Sequence, residues 1–364
     1  MSLPQQFGKK YIFLPDASCG TVRYLSTEDL EKISIKGVVV NTLHMLIGVG
    51  DERVNELGGI KKFMNWNGWV LSDSGGFQVF SLVHRKKWEG EISEDGVIFK
   101  SPKNGQLYNI TPETSIDIQV KLGSDILVVL DDCRDAEISR EEAEISVRRT
   151  IDWARRSKEY FEKKYSDIRK SKKLTAVVQG ANFTDLREEC AKELVKIGFD
   201  GYNFGGYVID SKGKLVIDVM KVLIDNTPSE KFRYAMGVGK PYDMLDCAKL
   251  GYTVFDTVLV TRNARHGTLY SFDEIDKDFI LRIKNAKYGT DLSPVDSTCD
   301  CELCRNHTRA YLNNLLRVGE ASAYRLASIH NLRFYTRLIE SLNQKGIDIS
   351  VGNREFLSSV PPAI

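Results

Sequence analysis

Short apolar segments alternate with amphipathic helical segments along most of the chain, and this alternation constrains the fold more than any other feature. The apolar segments VVVN, WVLS, ILVVL, TAVV, GYNF, FRYA and VFDTVLV recur between polar stretches, several of them helical in pattern, such as DLREECAKELVKIGFD. Continuous apolar strands that alternate with helices indicate a parallel sheet covered on both faces. Seven such strands over about 220 residues predict a (β/α)8 barrel.

A doubly wound open sheet is the alternative arrangement, but no Gly-x-Gly-x-x-Gly motif follows a first strand. We therefore predict an α/β protein with a (β/α)8 TIM barrel over residues 1–293 and a C-terminal zinc-binding appendage over 294–364. The helices of this appendage are expected to pack on the side of the barrel. With 364 residues, of which 42% are apolar, the chain can bury a core of that size.

The appendage is predicted from a cluster of soft metal ligands. Three of the seven cysteines stand close together at Cys299, Cys301 and Cys304, and a histidine follows at His330. Thiolates and imidazole are the ligands that tetrahedral zinc prefers. His307, three residues after Cys304, is a rival fourth ligand on spacing alone. Four protein ligands leave no open coordination position, so we predict one structural zinc ion per chain, with the catalytic chemistry elsewhere.

Charge and composition exclude few classes of binding partner. The formal net charge is +1, which does not indicate a polyanionic partner by itself. The sequence has no apolar run of membrane-spanning length, and its first residues lack the apolar core of a signal peptide. The cysteines outside the cluster are scattered singly, as in reduced proteins. We expect a cytoplasmic protein without a membrane partner.

Polar residues at four predicted strand ends are candidates for the chemistry: Asp73, Asp131, Gln179 and Asp256. The working residues of barrel enzymes lie at the carboxyl ends of the strands. Several acids at one barrel mouth suggest acid–base or nucleophilic work, for example a glycosidic displacement by two carboxylates. A divalent-metal site from the same acids is the competing interpretation, weakened because His44 is the only histidine at a strand end.

The segment SDSGGFQVF adds a possible binding surface next to Asp73. Its two glycines let backbone amides approach a flat ligand closely, and Phe77 can supply a stacking face. A tight turn with a core phenylalanine would explain either feature alone.

Several segments together resemble the motif set of tRNA-guanine transglycosylase, also called queuine tRNA-ribosyltransferase. They are DSGGFQVFSL, LGSDILVVLDDC, VVQG, FDGYNFGG, MGVGKP, FDTVLVTRNARHGTLY and CDCELC with IHNLRFY, in the family's order over nearly the whole chain. The resemblance implies a zinc-containing (β/α)8 enzyme of queuosine biosynthesis, which exchanges the wobble guanine of certain tRNAs for a 7-deazaguanine.

This resemblance also implies roles for individual residues. Asp256 matches the nucleophile that forms a covalent ribosyl-enzyme intermediate, and Asp73 matches the general acid/base. Phe77 matches an aromatic residue that stacks on the base, and Met236 would close the other face. Further base-binding positions are Ser74, Gly75, Gly76, Asp131, Gln179, Gly205 and Gly206. A carboxylate accepts the paired N–H donors of a guanine edge, while glutamine offers a donor and an acceptor.

Two segments match the parts of the family that hold the anticodon loop of tRNA. They are Gly237, Val238, Gly239, Lys240, Pro241, Tyr242 and Asp243, and Thr261, Arg262, Asn263, Ala264 and Arg265. Arg262 and Arg265 can pair with phosphate or flipped bases, although such arginines alone would more often be surface salt-bridge partners. For zinc, the family supports His330 over His307, and family members tend to form homodimers.

The chain departs from the family in three segments. It reads GGYVIDS where bacterial members commonly read GGLAVGE, so Tyr207, Ile209, Asp210 and Ser211 alter one wall of the base pocket. LIGVG follows TLHM in place of an Arg-Pro-Gly pattern, and Val260 replaces a common proline. Tyr207 and Ile209 add bulk and Asp210 adds a carboxylate, so we favour the small 7-aminomethyl-7-deazaguanine over queuine as the incoming base.

Other interpretations stay open at this point. A queuine-using enzyme of the same family is the first. A non-catalytic partner subunit that binds tRNA or a sister chain is the second, although such paralogues usually lose the nucleophile and both Asp256 and Asp73 are present. The third is a transglycosylase acting on DNA or another base; the TRNAR segment argues against it, whereas GGYVIDS leaves room for it.

Overall fold

The computed structural model describes residues 10–84, 88–347 and 352–363. The strands in these ranges are β1 Ile12–Pro15, β2 Gly37–Val40, β3 Trp69–Ser72, β4 Gly90–Ile92, β5 Val97–Lys100, β6 Leu107–Ile110, β7 Ile126–Val128, β8 Lys173–Val178, β9 Gly201–Phe204, β10 Phe232–Ala235, β11 Val254–Thr257, β12 Thr268–Tyr270 and β13 Ile280–Arg282.

The α-helices in the same ranges include both short turns and two helices of 25 residues. They are α1 Thr27–Lys32, α2 Thr42–Gly48, α3 Asp51–Glu56, α4 Ile60–Met64, α5 Gly76–Val79, α6 Pro112–Lys121, α7 Arg140–Lys164, α8 Thr184–Ile197, α9 Ile217–Asn226, α10 Pro241–Leu250, α11 Leu259–His266, α12 Glu302–Asn306, α13 Arg309–Val318, α14 Ala321–Lys345 and α15 Asn353–Ser358.

Eight parallel strands form the barrel in the order β1-β11-β10-β9-β8-β7-β3-β2. Its two end strands meet at the carboxyl end of β1, where Asp16 forms a parallel bridge with Val39 and the Ala17 N–H donates to the Val39 carbonyl at 2.7 Å. This closure confirms the predicted (β/α)8 barrel over the doubly wound open sheet.

The barrel strands are buried on both faces because each face has its own apolar partner. In β1, Ile12 and Leu14 belong to the cluster that fills the barrel, while Phe13 belongs to the cluster between strands and helices. Successive side chains of a strand point to opposite faces, so continuous apolar runs are required here. Seven of the eight barrel strands are predicted from the sequence, and β1 is not, because IFLP is short and no long helical pattern follows it.

An antiparallel sheet of β4, β5 and β6 is inserted between β3 and α6. Its inner face packs Phe99 and Tyr108 in a stacked pair with ring centroids 5.3 Å apart. The outer face exposes Ile98 and Leu107, which alternate with the buried positions.

Helix α14 joins the metal-ligand segment to the barrel. It packs against α11, β1 and β12, and its Tyr335 lies 5.0 Å from the ring of Phe13 in β1. The predicted packing of C-terminal helices on the barrel side is therefore present, while the division between residues 293 and 294 stays a prediction. In the described ranges, no helix has the length and apolar character needed to cross a bilayer.

Candidate active site at the barrel mouth

Asp73 follows β3 directly, and residues that follow the neighbouring strand β2 hold its carboxylate by hydrogen bonds. It accepts hydrogen bonds from Asn41 Nδ2 at 2.6 Å, the Thr42 N–H at 3.0 Å and the Gly75 N–H at 3.1 Å. Burial nevertheless raises the pKa of Asp73 to about 7, against the hydrogen bonds that lower it. A carboxyl group with this pKa can both give and take a proton near neutral pH.

Asp256 is the third residue of β11, on the far side of β1 and β2 from Asp73. The Gly237 N–H donates to Asp256 Oδ1 at 2.7 Å. Burial raises the pKa of Asp256 to about 6, although hydrogen bonds from this N–H and from the Tyr234 hydroxyl lower it. The group is therefore mostly ionised at neutral pH and oriented by its neighbours, as a carboxylate nucleophile requires.

A third acid, Asp16, lies between these two around the barrel. It follows β1, whose Leu14 pairs with Asp256 on one side, while Asp16 itself pairs with Val39 of β2 on the other. Its charge adds a smaller increase to the pKa of both Asp73 and Asp256 than burial does. Asp16, like β1, is not among the residues predicted from the sequence; an acid directly after IFLP was the available signal.

Asp131, Gln179 and Ser74 form a hydrogen-bonded set next to Asp73. Asp131 accepts from Ser74 Oγ at 2.9 Å on one carboxylate oxygen and from Gln179 Nε2 at 2.7 Å on the other. Asp131 and Gln179 are both buried. Burial raises the pKa of Asp131 to about 6, against these two hydrogen bonds. The set places a carboxylate, which accepts hydrogen bonds, next to an amide, which both donates and accepts them. This combination suits the edge of a nucleobase.

Two of the predicted glycines lie so close to this set that a side chain would collide with it. A Cβ at Gly76 would lie 2.5 Å from Asp131 Oδ1, and one at Gly205 would lie 2.5 Å from Gln179 Nε2. Gly75 and Gly206 instead have positive φ, of 78° and 91°. Glycine is therefore required at these positions by close approach or by backbone conformation.

Aromatic and apolar side chains border the same space. Phe77 is 47% exposed, and its ring meets the edge of the Tyr207 ring at a centroid distance of 6.2 Å. Met236 is partly buried and packs against the cluster inside the barrel. The structure thus brings the aspartates, the polar set and the predicted stacking residue to one mouth.

The divergent segment GGYVIDS forms a hairpin-like turn closed by a bridge between Ile209 and Leu215. The Lys212 and Lys214 N–H groups donate to Asp210 Oδ1 at 2.8 and 2.9 Å, and these bonds, the one from Lys214 first, lower the pKa of exposed Asp210. A cavity of about 450 Å³ lies against this segment. Three acidic residues, Asp135, Glu137 and Asp210, line it together with Tyr207, Ile209 and Ser211.

The first segment predicted to hold the anticodon loop serves partly in packing. Gly237 donates to Asp256, while Val238 and Gly239 are buried, and Gly239 accepts a hydrogen bond from the Tyr335 hydroxyl. Lys240 is exposed at the start of α10, which contains Pro241, Tyr242 and Asp243.

The second segment, TRNAR, lies on α11 and divides between core and surface. Thr261 and Ala264 are buried, Asn263 donates to the Tyr270 hydroxyl at 2.8 Å, and Arg262 is exposed. Arg265 is half-buried, and within the described residues its Nη1 has no hydrogen-bond partner. Burial and the nearby charge of Arg23 lower the pKa of Arg265. Arg262 therefore presents its charge to solvent, whereas Arg265 is held partly within the fold.

The four predicted metal ligands come together away from the mouth. Their ligand atoms all lie within 4.8 Å of one another, and His330 Nδ1 is 3.5 Å from Cys301 Sγ and 3.2 Å from Cys304 Sγ. Tetrahedral zinc with bonds of about 2.0–2.3 Å separates its ligands by roughly 3.5 Å. The cluster is a site that could hold a metal ion.

The surroundings of His330 fit the same role. Its Nε2 lies 2.7 Å from the backbone carbonyl of Tyr270, the partner that a metal-binding histidine needs for its second nitrogen. His307, the rival ligand, stacks on Tyr311 at 4.9 Å and lies outside the cluster. Among the described residues, the acids of the mouth form no comparable ligand group, which disfavours the divalent-metal interpretation.

The groups that hold Asp73 and Asp256 in place are not among the residues predicted from the sequence. Asn41 caps α2 and, with Thr42, binds Asp73; His44 lies within that helix rather than at a strand end. The Asn-Thr pair directly after VVV was the available signal, since such residues begin helices. Tyr234, one strand away from Asp256, gave no signal because its position in FRYA looked like core.

A closed parallel barrel with carboxylates of raised pKa at the carboxyl ends of its strands defines a barrel enzyme. The sequence profile of the queuine tRNA-ribosyltransferase family matches residues 1–347. The queuine tRNA-ribosyltransferase of Psychrobacter cryohalolentis is 38% identical over 330 residues, covering 91% of this chain and 84% of that protein. Those of Acinetobacter baumannii strain SDF and Acinetobacter baylyi are 40% and 39% identical over 331 residues, covering 91% of this chain and 85% and 83% of those proteins. The chain belongs to the queuine tRNA-ribosyltransferase family and is an enzyme of the glycosyltransferase class.

Proposed function

We propose that the protein exchanges the wobble guanine of target tRNAs for a 7-deazaguanine by double displacement. Asp256 attacks C1′ of the ribose, the bond from C1′ to guanine N9 breaks, and Asp73 protonates the departing base. The incoming base then gives a proton to Asp73, attacks C1′ and releases Asp256 from the ribosyl ester. The observation that carries this assignment is the position of Asp73 and Asp256 at the ends of β3 and β11 on one barrel mouth, each held by hydrogen bonds from its neighbours. Their pKa values, raised to about 7 and about 6, suit the two roles.

The departing and incoming bases are proposed to occupy one pocket in turn. Asp131 and Gln179 would read the guanine-like edge that both bases share, with Ser74 holding Asp131 for the task. Phe77 and Met236 would lie on the two faces of the base. Because the polar set is already hydrogen-bonded within itself, binding a base requires few side chains to be reordered.

The 7-substituent would point toward the segment from Gly205 to Ser211. Tyr207 meets Phe77 there, which leaves less room for the cyclopentenediol of queuine. Asp210 is exposed and accepts hydrogen bonds within its own turn. It is also one of three acidic residues that line the adjacent cavity, and it adds to the negative charge there. A cavity lined by Asp135, Glu137 and Asp210 favours an ammonium group over a neutral diol. We therefore favour 7-aminomethyl-7-deazaguanine as the incoming base.

Competition for labelled guanine in tRNA tests this choice. The aminomethyl base is expected to displace guanine at lower concentration than queuine does, and Asp135→Asn with Glu137→Gln should reduce that advantage. Lys212→Ala is the matched control because it leaves the carboxylates of the cavity in place. Queuine displacing guanine more efficiently would overturn the base assignment without affecting the enzyme class.

The tRNA is proposed to bind across the mouth with its anticodon loop over the segment 237–243 and helix α11. Arg262 and Arg265 carry the charge for phosphate or base contacts, with Arg262 exposed on the surface and Arg265 half-buried beside it. The cluster of Cys299, Cys301, Cys304 and His330 would hold one zinc ion, whose role is structural because all four positions are protein ligands. A homodimer and a cytoplasmic location stay predictions.

A further inference from the structure

Arg187 is a buried arginine that lies beside two residues of the proposed base pocket, Gln179 and Gly205. It lies on α8 and is 2% exposed. Within the described residues no carboxylate forms a salt bridge with it, and burial lowers its pKa to about 10, so it remains charged at neutral pH. A buried cation without an anionic partner is costly unless all its donors are used.

Each of the three guanidinium nitrogens of Arg187 donates to a backbone carbonyl at or just after the ends of β8 and β9. Nε donates to Ala181 at 2.7 Å, Nη1 to Val178 at 2.9 Å and Nη2 to Gly205 at 2.9 Å. The guanidinium also lies over the ring of Phe204, 4.2 Å from its centroid. A planar fork can reach three carbonyls from one point, whereas the compact ammonium of lysine cannot.

These carbonyls flank two groups of the proposed base pocket. Val178 and Ala181 lie on either side of Gln179, whose side chain binds Asp131, and Gly205 precedes Gly206. The loop after Gln179 is in an unusual conformation, with φ of 141° at Gly180 and 48° at Ala181. Such backbone persists only where the surroundings hold it. Arg187 is the side chain that ties both loops together.

We propose that Arg187 is a positioning residue for the base: through the carbonyls of Val178, Ala181 and Gly205 it sets Gln179 and Gly206 at the spacing that a guanine edge requires. This inference rests on the proposed base exchange. It predicts a defect confined to base recognition, because Arg187 contacts the backbone at or just after the ends of β8 and β9, whereas the surface proposed for tRNA is formed by the segment 237–243 and α11.

Arg233 provides a matched control. It is also buried, its Nη2 donates to the carbonyls of Ile224 at 3.0 Å and Thr227 at 2.6 Å, and burial lowers its pKa. It lies within β10, below Met236, and ties down the turn before that strand rather than the base pocket. A purely structural role for buried arginines predicts similar behaviour for both residues.

The experiment measures KM for the base and KM for tRNA separately in Arg187→Met, Arg187→Lys and Arg233→Met. We expect Arg187→Met to raise KM for guanine about ten- to a hundredfold while KM for tRNA changes less than about twofold. Arg187→Lys should recover part of the loss, and Arg233→Met should lower thermal stability with both KM values unchanged.

An unchanged KM for the base in Arg187→Met, or an equal rise in Arg233→Met, would overturn the inference. If Arg187→Met does not fold, Arg187→Lys decides alone, since a raised base KM with normal tRNA KM supports positioning and an unchanged base KM refutes it. Wild-type protein without base exchange would refute the proposed function instead, and this outcome is read before any variant is compared.

Discussion

The carboxylates at the barrel mouth and those near the metal-ligand cluster lie in opposite electrostatic surroundings. At the mouth, Asp73 and Asp256 have raised pKa values and, in the described ranges, no lysine or arginine forms a salt bridge with them. Near the cluster, Arg325 binds both Asp29 and Glu302, at 2.5 and 2.8 Å. Burial would raise the pKa of Asp29, but Arg325 and Ser26 hold it below its usual range.

The difference separates a region built for reaction from a region built for stability. An enclosed carboxylate without a cation weakens the fold at neutral pH, yet it gives the proton affinity and nucleophilicity that catalysis needs. A carboxylate paired with arginine is fixed in its charge state and cannot exchange protons near neutrality. Changes at the mouth should therefore affect rates, and changes near the cluster should affect metal content and stability.

Asp256→Asn should have the largest effect on rate and the smallest on stability. Amide in place of carboxylate removes the nucleophile, so base exchange should fall about a thousandfold or more. Wild-type protein stalled on tRNA should give a denaturation-resistant protein–RNA adduct, visible by gel electrophoresis, that is absent in the variant. An adduct that persists in Asp256→Asn and maps to Asp73 would reverse the two roles.

His330→Ala should instead affect metal content and stability first, and the rate of base exchange only as a consequence. Elemental analysis should find about one zinc ion per wild-type chain and much less in the variant, with unfolding free energy lower by about 3 kcal/mol or more. His307→Ala is the matched control, since its ring stacks on Tyr311 outside the cluster. Zinc lost from His307→Ala and kept by His330→Ala would refute the ligand assignment.

The fold was largely predictable, because apolar strands that alternate with helices leave few arrangements. The cysteine cluster and the acids after the apolar runs were predictable for the same reason: their spacing is local in sequence. Tyr234 and Arg187 were not predictable, and Asp16 had only its place after IFLP as a signal, since each acts through neighbours that only barrel closure or helix packing brings near. The hydrogen bonds of Asp210 were not predictable either, because the amides of its own turn that donate to it depend on the local backbone conformation.

The pKa values of Asp256 and Asp73 should set the pH dependence of base exchange, and replacing Asp16 should shift it. The first step needs Asp256 ionised and Asp73 protonated, so kcat/KM should rise through about pH 6 and fall through about pH 7. Burial is the main cause of both raised pKa values, and the negative charge of Asp16 adds to it. Asp16→Asn should therefore move both limbs to lower pH by a fraction of a unit. Limbs that stay in place would show that Asp16 is not electrostatically coupled to the pair.

Arg325→Met should have the smallest effect, confined to stability. Arg325 is 35% exposed, so losing its pairs with Asp29 and Glu302 should cost about 1 kcal/mol of unfolding free energy, with exchange rates unchanged.

The effect of Arg325→Met on stability should also depend on pH. Hydrogen bonds from Arg325 hold the pKa of Glu302 below its usual value. Burial would raise the pKa of Asp29, but hydrogen bonds from Arg325 and Ser26 hold it below its usual value. Groups with lowered pKa stabilise the fold above their unfolded pKa and lose that contribution as pH falls through the folded one. The difference in stability between wild type and Arg325→Met should therefore be present at pH 7 and shrink in acid, as urea unfolding at several pH values can measure. A difference that instead grew in acid, or a loss of exchange activity, would contradict the separation of the two regions.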